Sequence, residues 1–225
     1  MFGKNIILAP ENHAGEYLMV KEIFKTLQGE GPLVGYPAIF LRLGGCNLAC
    51  DFCDTDFDNY EKFSLAQIIG KIENLSINSS GKKTVNLVVI TGGEPMRQPI
   101  EKLCDQLIKH NYKVQIETNG TLYRQLPSEV MIICSPKVTN HKYHAIRADL
   151  LSHINYFKFI ISANNPDYFE VSEVGQSVAQ IPVYIQPMDE YDALKNQRNL
   201  QRSIDLALQH GYFLSAQAHK IWGLK

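Results

Sequence analysis

The chain has 225 residues, 45% of them hydrophobic, which is enough for one well-buried domain and short for two. Its 22 basic and 23 acidic side chains leave a net charge of −1, so nothing in the overall charge attracts nucleic acid or an anionic membrane. The apolar run near the N-terminus is too short for a signal peptide, and no stretch reaches the roughly 18 apolar residues of a membrane span. With free thiols and no export signal, a reducing cytoplasm is the expected compartment.

In chain order, Tyr17–Phe24 and Ala38–Leu43 read as strands, the second leading into Gly44-Gly45 and a cysteine-rich loop. Ser64 suits the N-cap of a helix through about Leu75, with Leu65, Ile68, Ile69, Ile72 and Leu75 on one face. Asn78–Lys83 is a polar connection. Leu87-Val88-Val89-Ile90 reads as a strand buried on both faces and ends in Thr91-Gly92-Gly93-Glu94-Pro95. A helix follows with Ile100, Leu103, Cys104, Leu107 and Ile108 on its apolar face. Val114–Ile116 runs into Glu117-Thr118-Asn119-Gly120, and Val130–Cys134 into Ser135-Pro136-Lys137. Tyr156–Ile161, Val183–Ile185 and Phe213–Ala216 complete the predicted strands, with helices expected near 141–152 and 192–210.

This alternation predicts an α/β protein with a mainly parallel sheet in one domain spanning residues 1–225. A closed eight-fold barrel takes about 250 residues, so an incomplete, TIM-like barrel is expected. The polar, glycine-bearing segments follow apolar strands and so fall at strand C-terminal ends, where such folds bind ligands.

Cys46, Cys50 and Cys53 place three thiols within eight residues, spaced Cys-x3-Cys-x2-Cys. A zinc knuckle needs a fourth Cys or His nearby, and the next downstream His is His110. A disulfide framework belongs to short secreted chains, usually with an even count, whereas this chain has five cysteines. Three thiolates can instead hold three irons of a [4Fe–4S] cubane and leave the fourth open to a small molecule. Clusters built for electron transfer normally fill all four corners with cysteine. Cys104 and Cys134 sit in apolar contexts and read as core.

The triplet, with Phe52 before its last cysteine, resembles the radical S-adenosylmethionine (SAM) enzymes, in which the unique iron holds the amino and carboxylate groups of SAM. The strand-end turns strengthen this resemblance: Gly92-Gly93-Glu94-Pro95 is similar to their "GGEP" motif. "ETNG", "SPK" and "QPM" turns stand at Glu117–Gly120, Ser135–Lys137 and Gln186–Met188. More specifically, Glu22–Gly31, Phe40–Leu48, Cys53-Asp54-Thr55 and Gln217–Lys220 resemble the 7-carboxy-7-deazaguanine synthase family, across almost the whole chain.

That resemblance implies a [4Fe–4S] cluster on Cys46, Cys50 and Cys53, SAM, and Mg2+ with Thr55 as its one protein ligand. It implies SAM contacts from Phe52, Gly92, Gly93, Glu94 and Asn119, from Ser135, Pro136 and Lys137, and from Gln186, Pro187, Met188 and Asp189. The implied substrate is 6-carboxy-5,6,7,8-tetrahydropterin, which loses ammonia as its ring contracts to 7-carboxy-7-deazaguanine. Leu27, Gln28, Gly29, Glu30, Arg42, Thr91 and His219 are the implied substrate contacts. A homodimer and an electron donor such as flavodoxin or ferredoxin are implied as well.

Several of these roles have independent physical support. Arg42 interrupts the apolar strand Ile39-Phe40-Leu41-Arg42-Leu43, and a buried guanidinium needs an anion. A substrate carboxylate would serve, and so would a structural Glu. Gln28, Gly29 and Glu30 offer donors and acceptors for the amide and amine edge of a pterin. Thr55 supplies a hard oxygen suited to Mg2+. His219 and Lys220 lie in a strand-like final segment. Glycyl-radical activases share the triplet and the Gly-Gly-Glu-Pro turn, but they do not account for Gln28–Gly31 or Cys53-Asp54-Thr55. A non-catalytic zinc or cluster-binding module is the remaining, different class.

Overall fold

A single nine-stranded sheet organises the chain in this computed structural model, which describes residues 5–53, 57 and 59–224. The strands are β1 (Tyr17–Leu27), β2 (Pro37–Leu43), β3 (Glu61–Ser64), β4 (Leu87–Gly92), β5 (Lys113–Thr118), β6 (Met131–Cys134), β7 (Val138–Thr139), β8 (Lys142–Tyr143), β9 (Tyr156–Ile161), β10 (Val183–Pro187) and β11 (Phe213–Leu214). The helices are α1 (Leu65–Ser76), α2 (Glu101–Lys109), α3 (Ala148–Leu151), α4 (Ala193–His210) and α5 (Ala218–Ile221). The sheet runs β11-β10-β9-β6-β5-β4-β2-β1-β3, while β7 and β8 pair separately. From β2 to β11 all pairings are parallel; β1 is antiparallel to both β2 and β3. This is the expected incomplete barrel of mainly parallel strands.

Period-2 alternation divides each wall strand between two jobs. Ile39, Leu41 and Leu43 of β2, Val88 and Ile90 of β4, Val114 and Ile116 of β5, and Phe157, Phe159 and Ile161 of β9 belong to the main core. They pack with Ile68 and Ile72 of α1, Leu103 and Leu107 of α2, and Leu206 of α4. The alternate residues face the barrel interior. Ala38, Leu87 and Val89 form a small apolar floor with Leu33 and Phe40. Arg42, Thr91, Glu117, Ser135, Ile160 and Gln186 stand above it, toward the strand C-terminal ends, and line one cavity.

Ser64 caps α1 in a capping box: its side chain accepts from Gln67 N, and the Gln67 side chain accepts from Ser64 N. Cys104 and Cys134 are fully buried, as expected of core residues. Two predicted elements differ. Residues 138–143 form the β7–β8 hairpin rather than the start of a helix, because Asn140 and His141 adopt positive φ in its turn (52° and 61°). Only Ala148–Leu151 of the predicted helix remains. The strand-like reading of the chain end is also corrected: β11 stops at Leu214, and residues 218–221 form α5. The amide of Ala218 donates to Gly29 O at 2.9 Å, and that of Trp222 to Ala218 O, which turns the backbone out of the sheet.

The same segment bridges the open flank of the barrel. Gly31 N donates to Ser215 Oγ at 2.9 Å, and Gln217 Nε2 to Glu30 Oε1 at 3.1 Å. Thus β11 and the loop after β1, at opposite sides of the sheet, are joined by the chain end.

Candidate active site

The cysteine loop and the Gly92-Gly93 turn are built against each other. Gly92 has φ +123°, and a Cβ there would lie 2.2 Å from Leu43 O. A Cβ on Gly93 would lie 1.8 Å from Gly45 O, so no larger residue fits this approach. The contact is sealed by Gly93 N donating to Leu43 O and Glu94 N to Gly45 O, both at 3.1 Å. The two motifs occur together because each is the wall of the other.

Glu94 lies beneath this junction. It is 1% exposed, and its carboxylate accepts from Met96 N (3.0 Å), Thr118 Oγ1 (2.8 Å) and Asn119 N (2.7 Å). Burial raises its pKa, against those hydrogen bonds. Its side chain does not line the cavity, and its carboxylate is engaged by these three protein donors. Asn119 continues the network: Nδ2 donates to Asn47 Oδ1 in the cysteine loop at 2.9 Å, and Oδ1 accepts from Thr121 N. Pro136 is buried and also stands behind the cavity wall.

The cavity holds about 320 Å³. Cys46, Cys50, Cys53 and Phe52 line one end, beside Gly92, Gly93, Asn119, Ser135 and Lys137. Gln186, Pro187, Met188 and Asp189 form a side wall. Leu27, Gln28, Gly29, Glu30, Arg42, Thr91 and His219 surround the rest. Thr55 lies outside the described residues. Phe52 meets Tyr168 edge-on, with ring centroids 5.0 Å apart.

The three thiols suit a cluster. Burial pushes Cys46 up to about 12 and raises Cys50 too, so each needs a cation to become a thiolate. Among the described residues no three His, Cys, Asp or Glu side chains converge on one metal ion. A cubane differs in taking one thiol at each of three corners. The Lys137 ammonium donates to Ser135 O (2.7 Å) and Oγ (2.6 Å), and burial lowers its pKa. It supplies positive charge beside the thiols.

At the other end, Arg42 Nε donates to Glu22 Oε1 at 2.9 Å, directly across the β1–β2 pairing. The structural Glu partner considered for Arg42 is therefore present, and the guanidinium still lines the cavity. Deeper, Lys158 Nζ bridges Glu30 Oε2 (2.6 Å) and Glu117 Oε2 (2.7 Å). Burial raises the Glu30 pKa, but Lys158 and Gln217 outweigh it and hold the carboxyl at about 2. Lys158 is 5% exposed; burial opposes its charge, yet the two carboxylates raise its pKa. Gln28 is 2% exposed; its Oε1 accepts from Glu30 N at 3.1 Å, while its buried Nε2 has no partner among the described residues.

Sequence reasoning missed Glu117 and Lys158 as cavity residues. Lys158 carried the signal that exposed Arg42, a lone cation inside an apolar strand, Tyr156-Phe157-Lys158-Phe159-Ile160-Ile161. His219 packs over Gly29, where a Cβ would lie 2.2 Å from its Nδ1.

A partial barrel carrying three cysteines in the loop after its first parallel strand defines the radical SAM class, and residues 41–139 match the Radical SAM superfamily. Enzymes of this class use a [4Fe–4S] cluster and SAM. A 7-carboxy-7-deazaguanine synthase from Rickettsia prowazekii is 55% identical over 225 residues, covering all of this chain and 96% of its own. Another from Rhodospirillum rubrum is 36% identical, covering 98% of each chain. The crystal structure of QueE from Escherichia coli superposes with a TM-score of 0.69 at 25% identity, covering 90% of this chain and 95% of that one. The chain belongs to the 7-carboxy-7-deazaguanine synthase family.

Proposed function

We propose that this enzyme is a lyase that converts 6-carboxy-5,6,7,8-tetrahydropterin to 7-carboxy-7-deazaguanine with loss of ammonia, within a single domain. The observation that carries the reading is one cavity joining a three-thiol end to an Arg42–Glu30–Glu117 end. When bound, the reduced cluster supplies the electron that splits the sulfonium C–S bond of SAM and thereby the power to abstract hydrogen from C6 of the pterin.

Cys46, Cys50 and Cys53 hold the cluster in this scheme, and their triplet leaves one corner for SAM. Gly92, Gly93, Asn119, Ser135, Lys137 and the Gln186–Asp189 wall hold SAM, with Phe52 against the adenine. Glu94 and Pro136 act from behind, by fixing the backbone of these turns. Arg42, held by Glu22, receives the substrate carboxylate as a charge-assisted hydrogen bond. Glu30 and Glu117 accept from the N–H groups of the pterin's amine and amide edge. Lys158 bridges the two carboxylates and offsets their mutual repulsion. The buried, unsatisfied Gln28 Nε2 finds its acceptor on the same edge. Thr91 contacts the ring face, while Leu27, Gly29 and His219 cover it.

Thr55 would hold Mg2+ through its hydroxyl oxygen, a hard donor suited to that ion. A homodimer in the cytoplasm, reduced by a flavodoxin- or ferredoxin-like protein, completes the reading. Among the described residues no helix is long and apolar enough to cross a membrane.

The test is anaerobic incubation of the reconstituted protein with SAM, dithionite, Mg2+ and the carboxypterin, followed by mass spectrometry. Ring-contracted product is expected. SAM cleavage without that product would overturn the substrate assignment. Thr55→Ala is expected to weaken the Mg2+ response while SAM binding persists.

A further inference from the structure

Ahead of β1 the chain lies along the cysteine loop as a strap. Ile7 forms a parallel bridge with Cys46, and Leu8 N donates to Cys46 O at 2.8 Å. The strap is clamped further on by Arg97, which is buried, and by Arg124, which is partly so. Arg97 donates to Ala9 O at 3.2 Å and pairs with the Glu11 carboxylate at 2.9 Å, and Arg124 donates to Glu11 O at 2.7 Å. At the near end, Asn5 Nδ2 lies 3.5 Å from Cys53 Sγ, within hydrogen-bond reach of sulfur, and Asn5 Oδ1 accepts from Phe57 N at 3.2 Å. One amide therefore ties the third cysteine to the backbone four residues beyond it.

We propose that Asn5 is a positioning residue for the metal centre: its side-chain N–H donates to the Cys53 sulfur, raising the reduction potential of the cluster and fixing the loop that carries it. The inference rests on the reading of Cys53 as a cluster ligand. One-electron reduction adds negative charge, part of which falls on the thiolate sulfurs, so an N–H donor stabilises the reduced form more than the oxidised one. An amide does this without placing a second charge in the site. The strap holds the donor in place through Arg97 and Arg124, which are fixed independently of the cysteines by Gly44 O and Glu101.

The experiment uses the full chain, reconstituted anaerobically and titrated with dithionite and viologen mediators while EPR follows the reduced cluster. Asn5→Ala is expected to keep its iron and show a lower midpoint potential than the parent protein. Asn5→Asp retains the acceptor for Phe57 N but turns a carboxylate toward the sulfur, and its potential is expected to be lower still. If Asn5→Ala loses iron, the potential of Asn5→Asp decides the matter. A midpoint equal to that of the parent in the variant that retains its cluster would overturn the inference. A parent protein with no [4Fe–4S] signal at all would instead overturn the cluster reading on which it rests.

Discussion

Arg42 and Lys158 occupy equivalent places, each a cation on the inner face of an apolar strand, but their surroundings assign them different work. Arg42 meets the Glu22 carboxylate on a neighbouring strand and lines the cavity. Arg42→Ala is expected to raise the KM for the carboxypterin about 10–100-fold, equivalent to roughly 1.4–2.8 kcal/mol of a charged hydrogen bond. The SAM requirement should stay put; equal rises in both would show Arg42 to be structural. Lys158 is held by two carboxylates, those of Glu30 and Glu117. Lys158→Met leaves them facing each other and is expected to destabilise the fold by about 3–5 kcal/mol, measurable by urea denaturation. Acid should act on the same group. Glu30 ionises at a lower pH in the folded protein than in the unfolded chain, so its stabilisation is whole above about 4.5 and disappears as pH falls toward about 2. Stability that drops across this window in the parent but not in Glu30→Gln is the expected result. Arg42 was visible in the sequence because a charge breaks an apolar run. The identity of its partner was not, since Glu22 is set opposite it only by the β1–β2 register.

At the scale of elements, legibility followed the strength of the local signal. Ser64 and Gln67 announce α1, and both halves of the capping box form. Ser64→Ala is expected to lower stability by about 1 kcal/mol without touching iron content. The β7–β8 hairpin was missed because its turn residues, Asn140 and His141, carry no glycine, and positive φ is uncommon for residues with a side chain. The two glycine turns were located correctly, but their contact was invisible, since Gly93 and Gly45 are far apart in sequence. Gly93→Ala tests that contact: a methyl group 1.8 Å from Gly45 O must displace the cysteine loop. The variant is expected to fold with much reduced iron per chain, read from brown absorbance after reconstitution.

Across the molecule, the incomplete barrel explains why so much of the site came from turns that were readable singly. Parallel strands put every C-terminal end on one rim, so motifs spread from residue 27 to residue 219 meet in one cavity. What the sequence did not disclose is how the open flank closes. The bonds from Gly31 to Ser215 and from Ala218 to Gly29 join segments almost the full chain apart. A chain shortened after Ala216 is expected to retain its sheet and iron and still cleave SAM, with that cleavage poorly coupled to product. Coupling equal to the parent's would show that the last residues do not seal the site.

The alternation along β2, β4, β5 and β9 has a corollary for how such a protein can change. Core and chemistry are written in alternate letters of the same short words. Substitution can therefore revise the chemistry while leaving the packing intact, but inserting one residue mid-strand shifts the frame. In β4 it would swing Thr91 outward against the helices and carry Ile90 into the cavity. Changes of length are thereby confined to the turns, whereas changes of specificity need only single replacements on the inner face.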